Sequence, residues 1–143
     1  MRKGLGELFF NHLLKKMNER KTPIRLRDTS IFFSGLYEDA LRLDVVDQYE
    51  LFDAVLKYNV YGVETEVKSP MGRVIWNYYR PMCDRANTRY DSKCSEERGG
   101  LMHYAHLLWN YEAFGLTPPP HVVAAHAEAL EWAKKNNKNG FPF

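Results

Sequence analysis

Residues 31–62 read IFFSGLYEDALRLDVVDQYELFDAVLKYNVYG, and residues 75–93 read IWNYYRPMCDRANTRYDSK. In both stretches the apolar residues recur every three or four positions, which is the spacing that places them on one side of an α-helix. A glycine closes the first stretch at Gly62, and the pair Gly99-Gly100 follows the second. The pattern predicts an all-α fold, a compact bundle of about five or six helices with a short hairpin or an extended arm.

Prolines, glycines and polar caps divide the chain into its predicted elements. The stretch PIRLRD at residues 23–28 predicts an extended linker or a short edge strand, and VYGVETEVKS at residues 60–69 predicts a loop or a hairpin arm. The predicted helices are Leu5–Arg20, one capped by Ser30, one capped by Asp47 and ended by Gly62, one from Ser69-Pro70 to about Asp91 or beyond, Leu101–Phe114 and His121–Asn136.

The fourth predicted helix carries two different faces. At 100° per residue its sequence separates an apolar side from a polar, basic one. The expected core side contains Ile75, Tyr78, Tyr79, Met82 and Ala86, and the expected solvent side contains Arg73, Asn77, Arg80, Asp84 and Asn87.

Length and composition favour one folded unit. A chain of 143 residues has the size of a single domain, and a hydrophobic content of 45% excludes a disordered chain. We expect one helical domain over residues 1–143. Its expected parts are an N-terminal helix and linker (1–28), a core (29–100), a C-terminal helical pair (101–136) and a tail (137–143).

The sequence also bears on location. No apolar run approaches the roughly 18 residues that a membrane span needs. Glu7, Asn11 and His12 interrupt the apolar residues near the N-terminus, which argues against a secretory signal. Cys83 and Cys94 are too few for a disulfide scaffold. These features predict a cytoplasmic protein with no membrane association.

Charge is distributed unevenly along the chain, although the formal net charge is only +2. Residues 1–36 contain eight basic and three acidic side chains, a balance of +5, whereas residues 37–68 contain three basic and eight acidic ones, a balance of −5. Such asymmetry is consistent with an anionic partner for one face or with two parts of the chain that attract each other.

Catalytic and metal-binding patterns are weak. His103 and His106 have helical spacing, but no second close pair of ligands repeats it, so helix residues bonded to solvent or backbone explain them better than a zinc site. Cys83 lies beside a core position, and Cys94 lies in a polar stretch without a catalytic signature. No glycine-rich phosphate loop is present. We therefore expect no enzyme activity, no cofactor and no metal.

Nucleic-acid binding has a better physical basis, because phosphate contacts need clustered Lys and Arg side chains and aromatic residues can stack on bases. The acids Asp84 and Asp91 interrupt the basic run, so a solvated helix face is the alternative. The candidate anion contacts are Arg73, Arg80, Arg85, Arg89 and Lys93, supported by Arg25 and Arg27.

A protein-interaction module is the alternative from another class. The acidic stretch 37–68 is suited to a basic partner, and exposed aromatic residues are typical anchors of partner or homo-oligomer interfaces. The same aromatic residues could instead fill the core. They include Trp76, Tyr79, Tyr104, Trp109, Tyr111 and Trp132.

The segment from Ile31 to Gly100 resembles a domain family of unknown function that is common in prophages of Bacteroidetes. The resemblance rests on the Phe32-Phe33 start, the QYELFDAVLKYNVYG helix that closes on Gly62, the IWNYYRP helix and the paired glycines. It implies a helical fold and a phage origin, with no catalytic residues.

Together, these features predict a non-catalytic, phage-type accessory protein that binds nucleic acid through a basic helix, related to replication or regulation. The alternative is a module that inhibits or adapts a host protein or a defence complex.

Overall fold

The computed structural model describes residue 4 and residues 6–12, 21–95 and 100–136, with the side chains of all these residues except 89–95. Residues 6–12 are helical and are called α1. The other helices are α2 (Ser34–Ala40), α3 (Val45–Tyr61), α4 (Pro70–Ser95), α5 (Leu101–Ala113) and α6 (Pro120–Lys135). The described residues contain no strand, so the prediction of an all-α fold is confirmed.

Several predicted boundaries lie elsewhere. The described part of the first predicted helix is α1, and the rest of that prediction and the tail 137–143 lie outside the described residues. Two connections, residues 21–33 (called the arm) and residues 62–69, are non-helical and contain no strand. Helix α2 begins at Ser34 with Phe33 as its N-cap, rather than at Ser30.

The N-cap of α3 is Asp44, so the prediction of Asp47 was wrong. Asp44 has an extended backbone, and its side chain accepts a hydrogen bond from the backbone N–H of Asp47 at 2.9 Å. Asp47 is the acidic residue of the first turn instead, where a negative charge complements the positive end of the helix dipole. Both aspartates thus stabilise the same helix start.

Gly62 ends α3, as predicted, and two constraints require a glycine there. Its φ is 72°, in the left-handed region that other residues rarely adopt. A Cβ atom at this position would also lie 2.8 Å from a methyl carbon of Leu26 and 2.9 Å from one of Leu107. The turn and the close packing therefore both exclude a side chain.

Helix α4 starts at Pro70, as predicted, with the Ser69 hydroxyl accepting a hydrogen bond from Gly72 N–H at 3.1 Å. Its buried side differs from the predicted one. Tyr78 is 65% exposed although it was expected in the core, and Asn87 is buried although it was expected in solvent. The core side is shifted because α4 packs against both α2 and α3, and it consists of Ile75, Trp76, Tyr79, Cys83 and Asn87.

The core has two main parts, joined through α3 and α4. In the first, α2, α3 and α4 bury Leu36, Leu51, Val55 and Cys83 among other apolar side chains. In the second, the arm and the loop after α3 pack against α5 and α6, where Leu26, Val63, Leu107, Tyr111 and Val122 are buried.

Two buried asparagines fasten the arm to the helices. The Asn110 side chain accepts a hydrogen bond from Ile24 N–H at 2.6 Å and donates to the carbonyl oxygens of Ile24 at 2.7 Å and Tyr61 at 3.0 Å. The Asn59 amide donates to Ile31 O at 3.2 Å and accepts from the Asn87 amide at 3.0 Å. Each asparagine therefore satisfies backbone or amide groups that would otherwise be buried without partners.

We expect Asn110→Leu to lower the free energy of unfolding by about 3 kcal/mol, because three hydrogen-bonding groups of Ile24 and Tyr61 lose their partner while the side-chain volume stays similar. Urea unfolding followed by circular dichroism measures the change. The matched control is Asn77→Leu at an exposed position of α4, which should stay within about 0.5 kcal/mol of the wild type. Equal effects of the two substitutions would contradict this role of Asn110.

Candidate functional site

The predicted anion contacts whose side chains the structure describes do not form one surface. At 100° per residue, Arg80 lies about 20° around α4 from Arg73, whereas Arg85 lies about 120° away. Arg73 and Arg80 therefore face the loop after α3, and Arg85 lies on another side of the helix. The side chains of Arg89 and Lys93 lie outside the described residues.

Arg73 and Arg80 already have partners within the protein. The guanidinium of Arg80 pairs with the Glu64 carboxylate and lies 4.9 Å from the ring centroid of Tyr58, a cation–π contact. Arg73 donates to Val67 O at 3.1 Å, and its guanidinium lies 4.0 Å from the Glu66 carboxylate. Acids of the acidic stretch thus neutralise these two arginines, which belong to α4 and not to the basic segment 1–36.

Arg25 and Arg27 have different environments. Arg25 is exposed, whereas Arg27 is only 8% exposed. The Arg27 guanidinium donates to the carbonyl oxygens of Asn59 at 2.7 Å and Tyr58 at 3.2 Å. These carbonyl groups belong to the last turn of α3, where a cation is favourable for the helix dipole. Arg27 therefore stabilises the fold and lies in the interior rather than on a binding surface.

Tyr58 is at the centre of a polar cluster beside these arginines. Its hydroxyl donates a hydrogen bond to Asp84, and its ring packs edge-on against Trp76 at 5.5 Å. Burial raises the pKa of Tyr58 to about 12, and the hydrogen bond and negative charge of Asp84 add to the effect. The cluster of Glu64, Arg80, Tyr58 and Asp84 links the loop after α3 to α4, and it leaves little free positive charge there.

An apolar groove opens between α2 and α4 and is called the α2–α4 groove. Its volume is about 480 Å³, and its lining consists of Asp39, Arg42, Met71, Val74, Ile75, Tyr78 and Tyr79. The floor is held by a hydrogen bond of 3.0 Å from the Tyr79 hydroxyl to Asp39. Met71, Val74 and Tyr78 are each more than half exposed. The groove therefore presents apolar surface to solvent in a concave shape.

The sequence contained a signal for this groove that our prediction missed. Met71, Val74 and Tyr78 have the spacing i, i+3, i+7, so they form a second apolar stripe on α4 beside the one that faces the core. A helix with two apolar stripes has more apolar surface than one core contact covers. Arg85 lies on the same side of α4, about 20° from Tyr78 by helical position.

A smaller polar cleft of about 160 Å³ lies where the arm, α5 and α6 meet. It brings together His103 and His121, which the sequence does not pair, with Glu64 and Tyr111. Tyr111 accepts a hydrogen bond from Glu64 N–H at 3.0 Å. Within the described part of the chain, no three His, Cys, Asp or Glu residues are grouped so that they could hold a metal ion.

Cys83 is buried between α3 and α4, in agreement with its predicted packing role. Burial raises the pKa of its thiol, which opposes formation of the reactive thiolate. The side chain of Cys94 lies outside the described residues. No helix in the described ranges is long and apolar enough to cross a membrane.

The comparison with protein families places these features in context. Residues 29–102, just over half of the chain, match the model of a family of unknown function, DUF6291. The chain belongs to this family. The matched segment contains α2, α3 and α4, so the lining of the α2–α4 groove lies wholly within the DUF6291 part. Comparisons with curated proteins and with solved structures give no match.

We expect the raised pKa of Tyr58 to make stability fall at alkaline pH. The neutral phenol is favoured in the folded state, so this contribution is complete below about pH 10, the ordinary tyrosine pKa, and is lost as the pH rises toward 12. The difference between the absorbance titrations of the wild type and of Tyr58→Phe should show one phenol that ionises with a midpoint near pH 12. A midpoint near the ordinary value would contradict the buried hydrogen bond to Asp84.

Proposed function

We propose that this DUF6291 protein is a non-catalytic interaction module that binds a partner protein in the α2–α4 groove. The observation that carries the proposal is an open concave surface whose apolar lining is left exposed by the protein's own described residues. Grooves of this kind bind an amphipathic helix, whose apolar residues at i, i+3, i+4 and i+7 insert between the two walls.

The size of the groove supports this mode of binding. A volume of about 480 Å³ accommodates a few large side chains rather than a whole domain surface. Covering Met71, Val74 and Tyr78 would remove apolar area that water now contacts, at about 25 cal/mol for each Å². These three side chains are therefore the main apolar contacts that the groove offers to the partner.

The charge at the groove rim favours an acidic group on the partner. Arg42 lies at the rim, is exposed and forms no ion pair with any described residue. Asp39, by contrast, is occupied by the Tyr79 hydroxyl. A carboxylate beside the apolar anchors of the partner helix would pair with Arg42 and set the direction of the helix.

The resemblance to prophage proteins supplies the biological setting of the proposal. An accessory protein of this type would act in the cytoplasm. It would bind a helix of a host protein or of a defence complex in the α2–α4 groove. Such a role needs no catalytic group, and the buried thiol of Cys83 and the internally paired Arg80 are consistent with that.

A library of displayed amphipathic helical peptides, selected on the purified protein, tests the groove directly. We expect the selected peptides to carry apolar residues at helical spacing with an acidic residue beside them. Val74→Glu should weaken their binding at least tenfold, because it places a charge in the apolar groove. Fluorescence anisotropy measures the affinity.

Asn77→Glu is the matched control, since it introduces the same charge at an exposed position of α4 that is not part of the groove lining. Its affinity for the peptides should equal that of the wild type within about twofold. Peptides that bind both variants equally well, or a selection that yields no helical peptide, would refute binding in the groove.

Nucleic-acid binding is the second candidate function, and the position of Arg85 is the observation that favours it. Arg85 is exposed on α4 and forms no ion pair with the described residues. Arg25 is also exposed. These two arginines are better suited to contact phosphate than Arg73 and Arg80, whose charges are paired with Glu66 and Glu64.

Fluorescence anisotropy with short labelled single- and double-stranded DNA at two salt concentrations tests this second function. If Arg85 contacts phosphate, Arg85→Glu should weaken binding severalfold and reduce its salt dependence, whereas Arg73→Glu should have a smaller effect. Absence of binding at low salt and micromolar protein would remove nucleic acid as a partner.

A further inference from the structure

A second exposed apolar surface lies on the outer side of α3. Four apolar side chains with the spacing i, i+4, i+7, i+11 form one stripe along this helix. They are Val45, Tyr49, Phe52 and Leu56. Val45 is 79% exposed and Tyr49 is 72% exposed. At about 1.5 Å per residue the stripe is about 16 Å long, or about three helical turns. A stripe of this spacing and length is suited to pack along a second helix.

Aromatic residues from the preceding segment widen this stripe. Phe32 and Tyr37 contact the ring of Phe52, with centroid distances of 5.5 Å and 6.3 Å. Both residues remain exposed. We call the combined surface the α2–α3 patch, and it consists of Phe32, Tyr37, Val45, Tyr49, Phe52 and Leu56.

The α2–α3 patch is separate from the α2–α4 groove. Tyr37 and Asp39 are two positions apart on α2, so they lie about 200° apart around the helix and on nearly opposite sides of it. Asp39 lines the groove, whereas Tyr37 belongs to the patch. No residue of the groove lining is part of the patch. A partner on one surface therefore leaves the side chains of the other uncovered.

The helices that carry the patch are acidic. Together α2 and α3 contain one basic side chain, Lys57, and five acidic ones, a balance of −4. Acids adjoin three patch residues in the chain: Glu38 follows Tyr37, Asp44 precedes Val45 and Asp53 follows Phe52. Asp53 pairs with Lys57 at 2.7 Å. Among the described residues, neither Glu38 nor Asp44 has an ion-pair partner, and both are exposed.

This charge decides between possible occupants of the patch. Two copies that paired α3 with α3 would bring their acidic side chains together, which opposes association. Phosphate groups of nucleic acids or of anionic lipids would be repelled for the same reason. A partner with Lys or Arg side chains beside its apolar residues is attracted instead.

We propose that the α2–α3 patch binds an amphipathic helix of a partner protein, and that Lys and Arg side chains flank the apolar stripe of this helix. The apolar side chains of the partner cover Tyr49 and the neighbouring aromatic rings, and its basic side chains pair with Glu38 and Asp44. The partner of the α2–α4 groove carries an acidic group beside its apolar residues, so the two surfaces select helices of opposite charge. The proposal does not depend on the function proposed for the groove.

Two libraries of displayed helical peptides, selected on the full chain, test the charge of the partner. Both have an apolar stripe at i, i+3, i+4 and i+7, and they differ only in lysine or glutamate beside it. We expect the lysine library to yield peptides that Tyr49→Ser weakens at least about tenfold by fluorescence anisotropy, because a large exposed aromatic contact is lost. Tyr78→Ser is the matched control, since it makes the same change at an exposed position of the groove. Its affinity should stay within about twofold of the wild type.

A second pair of variants tests the contribution of charge. Glu38→Lys should weaken the binding of the selected peptides severalfold and reduce its salt dependence, because it replaces an attracting charge with a repelling one. Glu131→Lys makes the same change at an exposed position of α6 and should have a smaller effect. All four positions are exposed, so the far-UV circular dichroism of each variant should equal that of the wild type.

Several results would overturn the proposal. A lysine library that yields no binder would do so, while the glutamate library would still test the groove separately. Peptides that Tyr49→Ser and Tyr78→Ser weaken equally would bind elsewhere. Peptides sensitive to Glu38→Lys but not to Tyr49→Ser would be held by charge without docking on the patch. A wild type that sediments as a dimer, and that Tyr49→Ser makes monomeric, would show that a second copy covers the patch instead.

Discussion

The carboxyl end of α3 is the point on which the rest of the structure depends. The last carbonyl groups of a helix have no partners within it, and burying them unpaired is costly. Here the Arg27 guanidinium binds Tyr58 and Asn59, the backbone N–H of Leu26 donates to Val60 at 2.8 Å, and Asn110 binds Tyr61. The arm is thereby held across the end of the helix.

This attachment positions the other elements. Gly62 turns the chain out of α3 in the left-handed region while Leu26 and Leu107 pack close against it, and the loop that follows places Glu64 beside Arg80. The same loop brings Glu64 N–H to Tyr111 of α5. The two parts of the core are thus joined at a polar junction, where arginines and acids neutralise one another.

The junction also determines which surfaces remain for binding. Arg27 binds backbone carbonyl groups and Arg80 pairs with Glu64 there, although the sequence analysis had assigned both side chains to an anionic partner. Exposed apolar side chains remain in the lining of the α2–α4 groove, where Met71, Val74 and Tyr78 contact solvent. The charges of the chain are therefore partly used inside the molecule.

The sequence alone determined the helices, because apolar spacing, Gly62 and Ser69-Pro70 act locally and need no tertiary contact. It determined the packing role of Cys83 for the same reason. It did not separate Asp44 from Asp47 as the cap of α3, since both can accept from the first turn and only the backbone conformation distinguishes them. Only the tertiary structure decided that Asn87 and Arg27 are buried and that Tyr78 is exposed. Those outcomes depend on where α2, the arm and α5 lie against α3 and α4, and a periodicity within one helix contains no information about its neighbours.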